Sequence, residues 1–428
     1  MFSVWHARSA PSARQYPAGM RELTVTDRYL RLGLRFDRIE EGFVDAYFGD
    51  PKHRRAVAQE APPTPAELAA AARDLLRDIE ADTALGEQRR EFLRGHVAAL
   101  ACSARKFDGA PIGFVEEVRA YFDVDIAPHD TADYEAAHAR LDELLPGPGS
   151  LSERMAEQRA RFLVPKDRVP EVVDALAGAL RDVVRARYPL PEAETVSFEI
   201  EHDKPWSGFN YYLGDYASRV AVNGDLPQYL SSLPHLIAHE AYPGHHTEHC
   251  RKEDLLVHGQ NQPEQTIFLV NTPQCLMAEG LADHALGAAI GPGWGRWAQE
   301  IYADLGLAFD GELAEAISVA SAGLLHVRQD AALLLHDRGG TDDEVIAYLR
   351  RWGLATETSA RQSLRFLSSP LWRAYISTYV EGYALLGSWL DLAEPGPARL
   401  DRFGRLLDEP LTPSALRREL AAVAPAAG

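Results

Sequence analysis

The stretch Pro234-His-Leu-Ile-Ala-His239-Glu240-Ala-Tyr-Pro243-Gly244-His245-His246 places four histidines and one acid within twelve residues. The apolar residues before His239 predict a buried helix that ends near this histidine. Burying several imidazoles and a carboxylate together is costly unless something satisfies them, and a divalent metal would satisfy them all. A His followed directly by Glu on a helix is the kernel of the zinc metallohydrolases. In those enzymes the His binds the metal and the Glu takes a proton from water.

The spacing after His239 departs from the usual pattern, in which a second metal-binding His follows four residues later on the same helical face. Here that position is Pro243, which cannot continue the helix, and the glycine after it permits the backbone to bulge. A bulge of two residues would return His245 to the place of the missing ligand, so we expect His245 to be the second ligand. Two alternatives stay open. His246 is the fallback, and His235 could pair with His239 at conventional helical spacing.

A second apolar segment carries Glu279 and Asp283, which lie one helical turn apart. Carboxylates at this spacing share a helical face, where their like charges repel each other. A metal accounts for both acids: Glu279 would be the third ligand, and Asp283 would orient a ligand imidazole by accepting its hydrogen bond. Two His, one Glu and a water form an open catalytic zinc site. We therefore predict a Zn²⁺ ion held by His239, His245 and Glu279. Glu240 would act as the general base.

Three motifs together resemble a known bacterial family. They are His239-Glu240-Ala-Tyr-Pro-Gly-His245-His246, then Glu279-Gly-Leu-Ala, and finally Tyr379-Val-Glu-Gly-Tyr383. The family is filed as domain of unknown function 885, and it is similar to the mostly helical zinc carboxypeptidases and oligopeptidases of the gluzincin type. The resemblance extends from about Tyr29 to Leu390. It implies a helical metallopeptidase architecture.

The resemblance also implies a catalytic role for a tyrosine near the C-terminus. Tyr375, Tyr379 and Tyr383 follow one another at helical spacing and so fall on one stripe of a helix. On pattern alone, such a stripe is typical of a packed core. In the similar helical peptidases a tyrosine from a late helix or loop stabilises the negative charge that develops on the substrate oxygen. We therefore expect Tyr379 or Tyr383 to be catalytic.

Three further residues are candidates for binding the substrate. Arg365 and Arg373 could each hold a substrate carboxylate with two parallel hydrogen bonds. For both arginines, simple solvation at the surface is the alternative interpretation. Tyr211 lies in a stretch rich in aromatic residues and glycine, which would suit a small substrate.

Composition and charge limit the classes of partner. The formal net charge of −19 argues against nucleic acid and against anionic membrane surfaces. No apolar run reaches the roughly 18 residues that are needed to span a bilayer. The N-terminus has no long apolar core of a secretory signal, so we predict a soluble cytoplasmic protein. Its partner would be a small peptide or another small molecule.

The pattern along the chain predicts a mainly α fold with one small β-sheet lining the cleft. Residues 1–20 read as a disordered tail, 21–190 as an N-terminal helical half, and 191–428 as a metal-binding catalytic half packed intimately against it. Helical periodicity predicts single helices over 25–47 and 312–337. Alternation of apolar and polar residues in 194–202 predicts a strand, and 218–225 is a second candidate with an Asn-Gly turn.

Three functional hypotheses follow from these features. The first is a zinc-dependent peptidase that acts on short peptides in a cleft between helices. The second is a metal-dependent enzyme of another reaction class, because a fold does not fix the reaction. The third is a non-catalytic binding protein that a metal stabilises. The intact Glu240 argues against the third, since a structural site needs no base and is usually closed by four protein ligands.

Overall fold

A computed structural model describes residues 23–203 and 208–423 of the chain. The expected tail at 1–20 lies outside the described residues. The described chain is mainly α-helical and carries a small sheet directly before the histidine-rich stretch, which confirms the predicted fold class.

The described part of the N-terminal half is built from eight α-helices, a short 3₁₀ helix at Lys166–Arg168 and one short strand. Its helices are α1 (Val25–Phe36), α2 (Pro51–Gln59), α3 (Pro65–Ala81), α4 (Glu87–Phe107), α5 (Phe114–Phe122), α6 (Thr131–Leu144), α7 (Leu151–Arg161) and α8 (Val169–Arg187). Strand β1 (Val44–Tyr47) lies between α1 and α2. Side-chain caps begin several of these helices; Thr24, Thr64 and Ser150 each form a capping box with an acid three residues later.

The C-terminal half begins with strands and continues as helices. Its strands are β2 (Thr195–Glu201), β3 (Gly208–Gly214), β4 (Ala217–Asn223) and, later in the chain, β5 (Ile267–Leu269). Its helices are α9 (Leu233–Glu240), α10 (His245–Lys252), α11 (Pro273–Ala289), α12 (Trp294–Asp304), α13 (Gly311–Ser321), α14 (Val327–His336), α15 (Asp342–Trp352), α16 (Glu357–Leu367), α17 (Ile376–Leu390), α18 (Pro397–Asp408) and α19 (Pro413–Val423).

The strands form two small sheets that connect distant parts of the chain. In the three-stranded sheet the order is β2-β4-β3, with β2 parallel and β3 antiparallel to β4. Strand β3 falls in the glycine-rich aromatic stretch, which the alternation of residues did not identify as a strand. The two-stranded sheet pairs β1 with β5, so it ties the start of the chain to the segment before α11.

One large cluster of buried apolar side chains draws on both halves of the chain, from Tyr29 to Leu416. At its centre α11 packs along α17, and two glycines permit the close approach. A Cβ atom on Gly280 would lie 2.6 Å from the carbonyl oxygen of Gly382, and one on Gly382 would lie 2.6 Å from that of Leu276. Helix α11 carries Glu279, and α17 carries Tyr379 and Tyr383 and begins directly after Tyr375, so the close packing sets the distance between Glu279 and the tyrosines.

Two predicted helices differ from the observed elements. The segment 25–47 is not one helix, because α1 ends at Phe36 and the chain returns as strand β1. The segment 312–337 is divided into α13 and α14 by a short 3₁₀ turn at Ala322–Leu324. Gly323 lies in this turn, where an added Cβ would come within 2.9 Å of Ala137 on α6. Tertiary packing therefore overrides the continuous helical pattern of the sequence.

Candidate metal centre

The structure brings together the three side chains that the sequence predicts as metal ligands. Glu279 Oε2 lies 3.3 Å from His239 Nε2 and 3.8 Å from His245 Nε2. All three ligand atoms lie within 4.8 Å of one another. With zinc–ligand bonds of about 2.0–2.2 Å, tetrahedral ligand atoms are separated by about 3.3–3.6 Å. The three atoms are therefore spaced closely enough to share one ion.

The chain reaches this arrangement by breaking the helix between the two histidines. Helix α9 ends at Glu240 and α10 begins at His245, so Pro243 and Gly244 lie in the connection. The amide of Gly244 donates to the carbonyl oxygen of Ala238 at 2.9 Å. A Cβ at Gly244 would lie 1.8 Å from the carbonyl oxygen of His239, so this turn excludes every other residue.

Two neighbouring side chains hold the ligands in orientation. His239 Nδ1 and Asp283 Oδ1 are 3.0 Å apart, which makes the carboxylate the hydrogen-bond acceptor. The Tyr375 hydroxyl donates to Glu279 Oε1 at 2.6 Å. Each contact uses one atom of the ligand and leaves the other atom, His239 Nε2 or Glu279 Oε2, turned towards the centre.

The unsatisfied atoms at the centre fit a cation. When Nδ1 of His239 carries the proton that Asp283 accepts, Nε2 presents a lone pair. Glu279 Oε2 faces that lone pair and, within the described chain, is buried with no hydrogen-bond donor. A lone pair and a buried carboxylate oxygen at 3.3 Å need a positive charge between them. The donor set of two imidazoles and one carboxylate is one that zinc accepts.

The pKa shifts of the ligand side chains also indicate a site for a cation. Burial acts to lower the pKa of His239, but the carboxylates of Asp283 and Glu279 outweigh burial and raise that pKa well above its usual value. Burial acts to raise the pKa of Glu279, but His239 and His245 outweigh it and lower that pKa. The electrostatic surroundings of both groups therefore favour a positive charge at this centre.

Glu240 lies beside this centre and is held by the sheet. Burial raises the pKa of its carboxyl group above the usual value. Asn210 Nδ2 on β3 donates to the backbone carbonyl of Glu240 at 2.7 Å. A Cβ at Gly208 would come within 3.0 Å of Glu240 Oε1, so the glycine that begins β3 leaves room for this carboxylate.

The three tyrosines of the predicted stripe occupy different surroundings. Tyr375 contacts Glu279, a role that the sequence analysis did not assign. Burial raises the pKa of Tyr379 well above its usual value, and the charges of Glu279, Asp283 and Glu240 add to this effect. Tyr379 therefore lies close to the acids of the centre and stays protonated. The structure does not bring Tyr383 to the ligand atoms; its ring stacks on His284 at 4.2 Å.

His246 and His235, the two alternative ligands, lie in other environments. His246 Nδ1 meets Ser218 Oγ at 2.9 Å, and its Nε2 meets Glu194 Oε2 at 3.1 Å. Both ring nitrogens therefore already have partners in a separate buried network. His235 is exposed and its ring contacts Trp294 edge-on at 4.8 Å.

The three residues predicted to bind substrate are not gathered at the centre. Arg373 pairs with the buried carboxylate of Glu117 through its Nε at 2.8 Å, so its guanidinium is already engaged there. Arg365 is exposed on α16. Tyr211 projects from the face of β3 opposite to Asn210, and the guanidinium of Arg219 stacks 4.0 Å above its ring.

Asp45 is a further acid near the centre that the sequence analysis missed. It lies on β1 between Val44 and Ala46, where the pairing with β5 shifts register as in a β-bulge. Burial, with the charges of Glu279 and Glu240, raises the pKa of Asp45 to about 7. β-Bulges re-aim side chains next to active sites. Because the sequence predicted a helix over 25–47, Asp45 was not considered as a residue of the site. Assigning Val-Asp-Ala-Tyr as a strand would have drawn attention to it.

Comparisons with known proteins show similarity of fold. No protein family model matches the chain, and no curated protein matches it. One solved structure, "the putative lipoprotein from Colwellia psychrerythraea", has a TM-score of 0.50 and 17% identity, and the match covers 86% of this chain and 72% of that one. Another, "a putative lipoprotein of unknown function from Shewanella oneidensis", has a TM-score of 0.47 and 13% identity, covering 92% and 82%.

The comparisons correct two predictions. The predicted membership of the family filed as domain of unknown function 885 is wrong, because no family model matches the chain. The predicted cytoplasmic location is wrong as well, because the similar structure from Colwellia psychrerythraea is described as a putative lipoprotein. Within the described residues, every helix is too short or too polar to cross a membrane.

Proposed function

We propose that this protein is a zinc-dependent hydrolase that cleaves short peptides by activating a water molecule. The observation that carries the proposal is the convergence of His239, His245 and Glu279 atoms within 4.8 Å, next to the buried carboxylate of Glu240. Three protein ligands are the number typical of catalytic zinc sites, in which a fourth position is left for water or substrate. A structural zinc site is usually closed by four protein ligands.

The surrounding residues have the properties that amide hydrolysis requires. A bound Zn²⁺ ion would supply Lewis acidity towards the substrate carbonyl and would lower the pKa of water. Glu240 would accept a proton from the attacking water and pass it to the leaving nitrogen. The protonated hydroxyl of Tyr379 would donate a hydrogen bond to the carbonyl oxygen as negative charge develops there.

The position of β3 favours a peptide as substrate. This strand lies at the edge of its sheet, and its first residue, Gly208, lies against the carboxylate of Glu240. An extended peptide can add to a sheet edge through its backbone hydrogen bonds. Such a peptide would run past the general base with its amide groups in register.

The role of Glu240 gives the sharpest test. Glu240→Gln removes the proton acceptor while it retains shape and every proposed ligand, so we expect unchanged zinc content and a fall in hydrolysis of about 100-fold or more. Zinc is measured by elemental mass spectrometry, and cleavage of a mixed-peptide library by mass spectrometry with and without chelator. Glu300→Gln changes an exposed acid on α12 and is the matched control, with activity like that of the unmodified protein.

Two results would contradict the proposal. Full activity in Glu240→Gln would show that another group accepts the proton. A protein that binds zinc stoichiometrically and cleaves no peptide in the library would exclude peptides as the substrate class.

A further inference from the structure

Glu279 presents its two carboxylate oxygens to different partners. Oε1 accepts a hydrogen bond from the Tyr375 hydroxyl at 2.6 Å, whereas Oε2 lies 3.3 Å from His239 Nε2 and 3.8 Å from His245 Nε2. Glu279 and Tyr375 are both buried. A separation of 2.6 Å is typical of the strong hydrogen bonds between a hydroxyl and an ionised carboxylate. One oxygen is therefore engaged by the protein, and the other faces the two imidazoles.

Tyr375 is held by its neighbours, so the direction of its hydroxyl is fixed. The Trp372 ring packs edge-on against the tyrosine ring at 5.3 Å, and the Phe122 ring from α5 does so at 6.4 Å. The backbone carbonyl of Tyr375 accepts hydrogen bonds from the amide of Thr378 at 2.9 Å and from its hydroxyl at 2.6 Å. In a close-packed interior, the phenol cannot turn away from Glu279 without displacing these rings.

The carboxylate end of this hydrogen bond is fixed as well. Glu279 lies within α11, next to Gly280, whose close approach to Gly382 holds α11 against α17. Tyr375 directly precedes α17. The hydrogen bond therefore joins two elements whose separation is set by backbone contact, and turning the carboxylate about its own axis would stretch it.

The engaged oxygen decides how Glu279 can bind an ion. A carboxylate can bind a metal through one oxygen or through both. Binding through both would add a ligand at the position that catalytic zinc sites leave for water or substrate. To bring Oε1 towards the imidazoles, Glu279 would have to break its hydrogen bond and leave the Tyr375 hydroxyl buried without an acceptor, which is costly.

We propose that Tyr375 is a positioning residue that limits Glu279 to one metal-binding oxygen and so keeps the fourth position of the centre open. This role rests on the proposed function, because only a catalytic site needs an open position. It also separates two tyrosines of the stripe: Tyr375 acts through Glu279, whereas Tyr379 would donate to the substrate.

Tyr375→Phe removes the hydroxyl and leaves the ring in place. The space left by one hydroxyl is smaller than a water molecule needs, so solvent does not replace the donor. Glu279 is then free to turn both oxygens towards the ion. We expect the coordination number to rise by one and kcat for peptide cleavage to fall by about 10- to 100-fold. Zinc affinity should fall by less than about 10-fold, because the second oxygen offsets part of the lost support.

Cobalt substitution measures the coordination number without turnover. The visible absorption of Co²⁺ weakens when a four-coordinate site becomes five-coordinate. We expect strong absorption from the cobalt-loaded unmodified protein and weaker absorption from Tyr375→Phe. Tyr134→Phe is the matched control, because the Tyr134 hydroxyl is also buried and donates to a carboxylate, that of Asp330, at 2.8 Å between α6 and α14. This variant loses an equivalent hydrogen bond outside the centre and should retain the strong absorption.

The unmodified protein provides a test that does not depend on the folding of a variant. In a crystal structure of the zinc-loaded protein, Glu279 Oε2 should lie about 2.0–2.2 Å from the ion, and Oε1 should keep its hydrogen bond to Tyr375. Both oxygens at bonding distance from zinc would overturn the role of Tyr375.

The outcomes separate the role of Tyr375 from the peptidase function. Equal cobalt spectra for Tyr375→Phe and the unmodified protein would overturn this role, while cleavage of peptides would leave the peptidase function standing. A weaker absorption confined to Tyr375→Phe, in a protein that cleaves no peptide, would support the role and overturn the peptidase function. An equal weakening in Tyr134→Phe would show that the loss of any buried hydroxyl perturbs the centre, and it would overturn the specific role of Tyr375.

Discussion

The adjacent histidines His245 and His246 differ in role because their ring nitrogens meet different partners. His246 is enclosed by Ser218 and Glu194, which engage both of its nitrogens. His245 turns Nε2 towards Glu279. The sequence predicted His245 from the backbone bulge alone. The partners of His246 lie 28 and 52 residues away along the chain, so local sequence could not reveal its separate role.

Gly244 permits the turn that gives His245 and His246 their different roles. Its substitution gives a prediction at the scale of one residue. In Gly244→Ala the new Cβ would lie 1.8 Å from the carbonyl oxygen of His239, so the backbone must shift and His245 must move with it. We expect zinc affinity to fall by about 10- to 100-fold, the loss typical when ligand support is removed. Competition with a fluorescent zinc chelator measures the change.

The control for this substitution is a glycine at which an added Cβ atom would contact nothing. Gly287 lies on α11, the helix that carries Glu279, and a Cβ there would meet nothing within 4 Å. Gly287→Ala should therefore bind zinc like the unmodified protein and be slightly more stable. Unchanged affinity in Gly244→Ala would show that the turn tolerates a side chain and that the close approach does not position His245.

At the scale of whole elements, sequence patterns located the helices better than the strands. The amphipathic helices of the chain follow from their periodicity, but β1 and β3 did not. Strand β1 is short and gains its pairing from β5, more than two hundred residues later. Strand β3 has its aromatic residues on both faces, so it lacks the alternation that identifies a half-buried strand. Asp45 and Gly208, both near the centre, were missed for this reason.

The contact between α11 and α17 gives a prediction at this scale. A Cβ in Gly382→Ala would lie 2.6 Å from the carbonyl oxygen of Leu276, so the two helices must separate by several tenths of an ångström or more. We expect a loss of about 1–3 kcal/mol in the free energy of unfolding, as for other overpacked cores. The hydrogen bond from Tyr375 to Glu279 spans this interface, so zinc affinity should fall too.

Urea denaturation and zinc competition measure these two effects of Gly382→Ala. Gly178→Ala on α8 is the control, because a Cβ there meets nothing within 4 Å and should preserve both properties. Stability and affinity equal to those of the unmodified protein would show that the glycine contact does not set the spacing of α11 and α17.

At the scale of the whole molecule, a buried ionic network joins the two halves. Glu194, directly before β2, accepts hydrogen bonds from Arg181 on α8 at 2.7 Å and from Tyr242 at 2.9 Å, and it meets His246 at 3.1 Å. Net charge and composition could predict a folded chain, but no local pattern indicates that this acid is buried. The network therefore holds the connection between α9 and α10, which leads to the metal centre, against α8, the last helix of the N-terminal half.

This network makes stability depend on pH in a direction that can be worked out. Burial acts to raise the pKa of Glu194, but the hydrogen bonds from His246, Arg181 and Tyr242 outweigh it and lower that pKa to about 2. A glutamate in the unfolded chain has a pKa of about 4.3. The ionised carboxylate therefore stabilises the fold fully above about pH 4.3, and this contribution is lost as the pH falls towards 2. Glu194→Gln removes it at every pH.

We expect the free energy of unfolding of Glu194→Gln to be about 3 kcal/mol lower than that of the unmodified protein at pH 7, because Arg181 and His246 lose their buried partner. The difference from the unmodified protein should shrink steadily between pH 4.3 and the acid limit of folding, since both proteins then lack the charge. Urea titrations at a series of pH values measure it. Glu192→Gln, at an exposed position two residues earlier, should show no such difference. A difference that stays constant on acidification would mean that Glu194 acts through its shape and hydrogen bonds rather than through its charge.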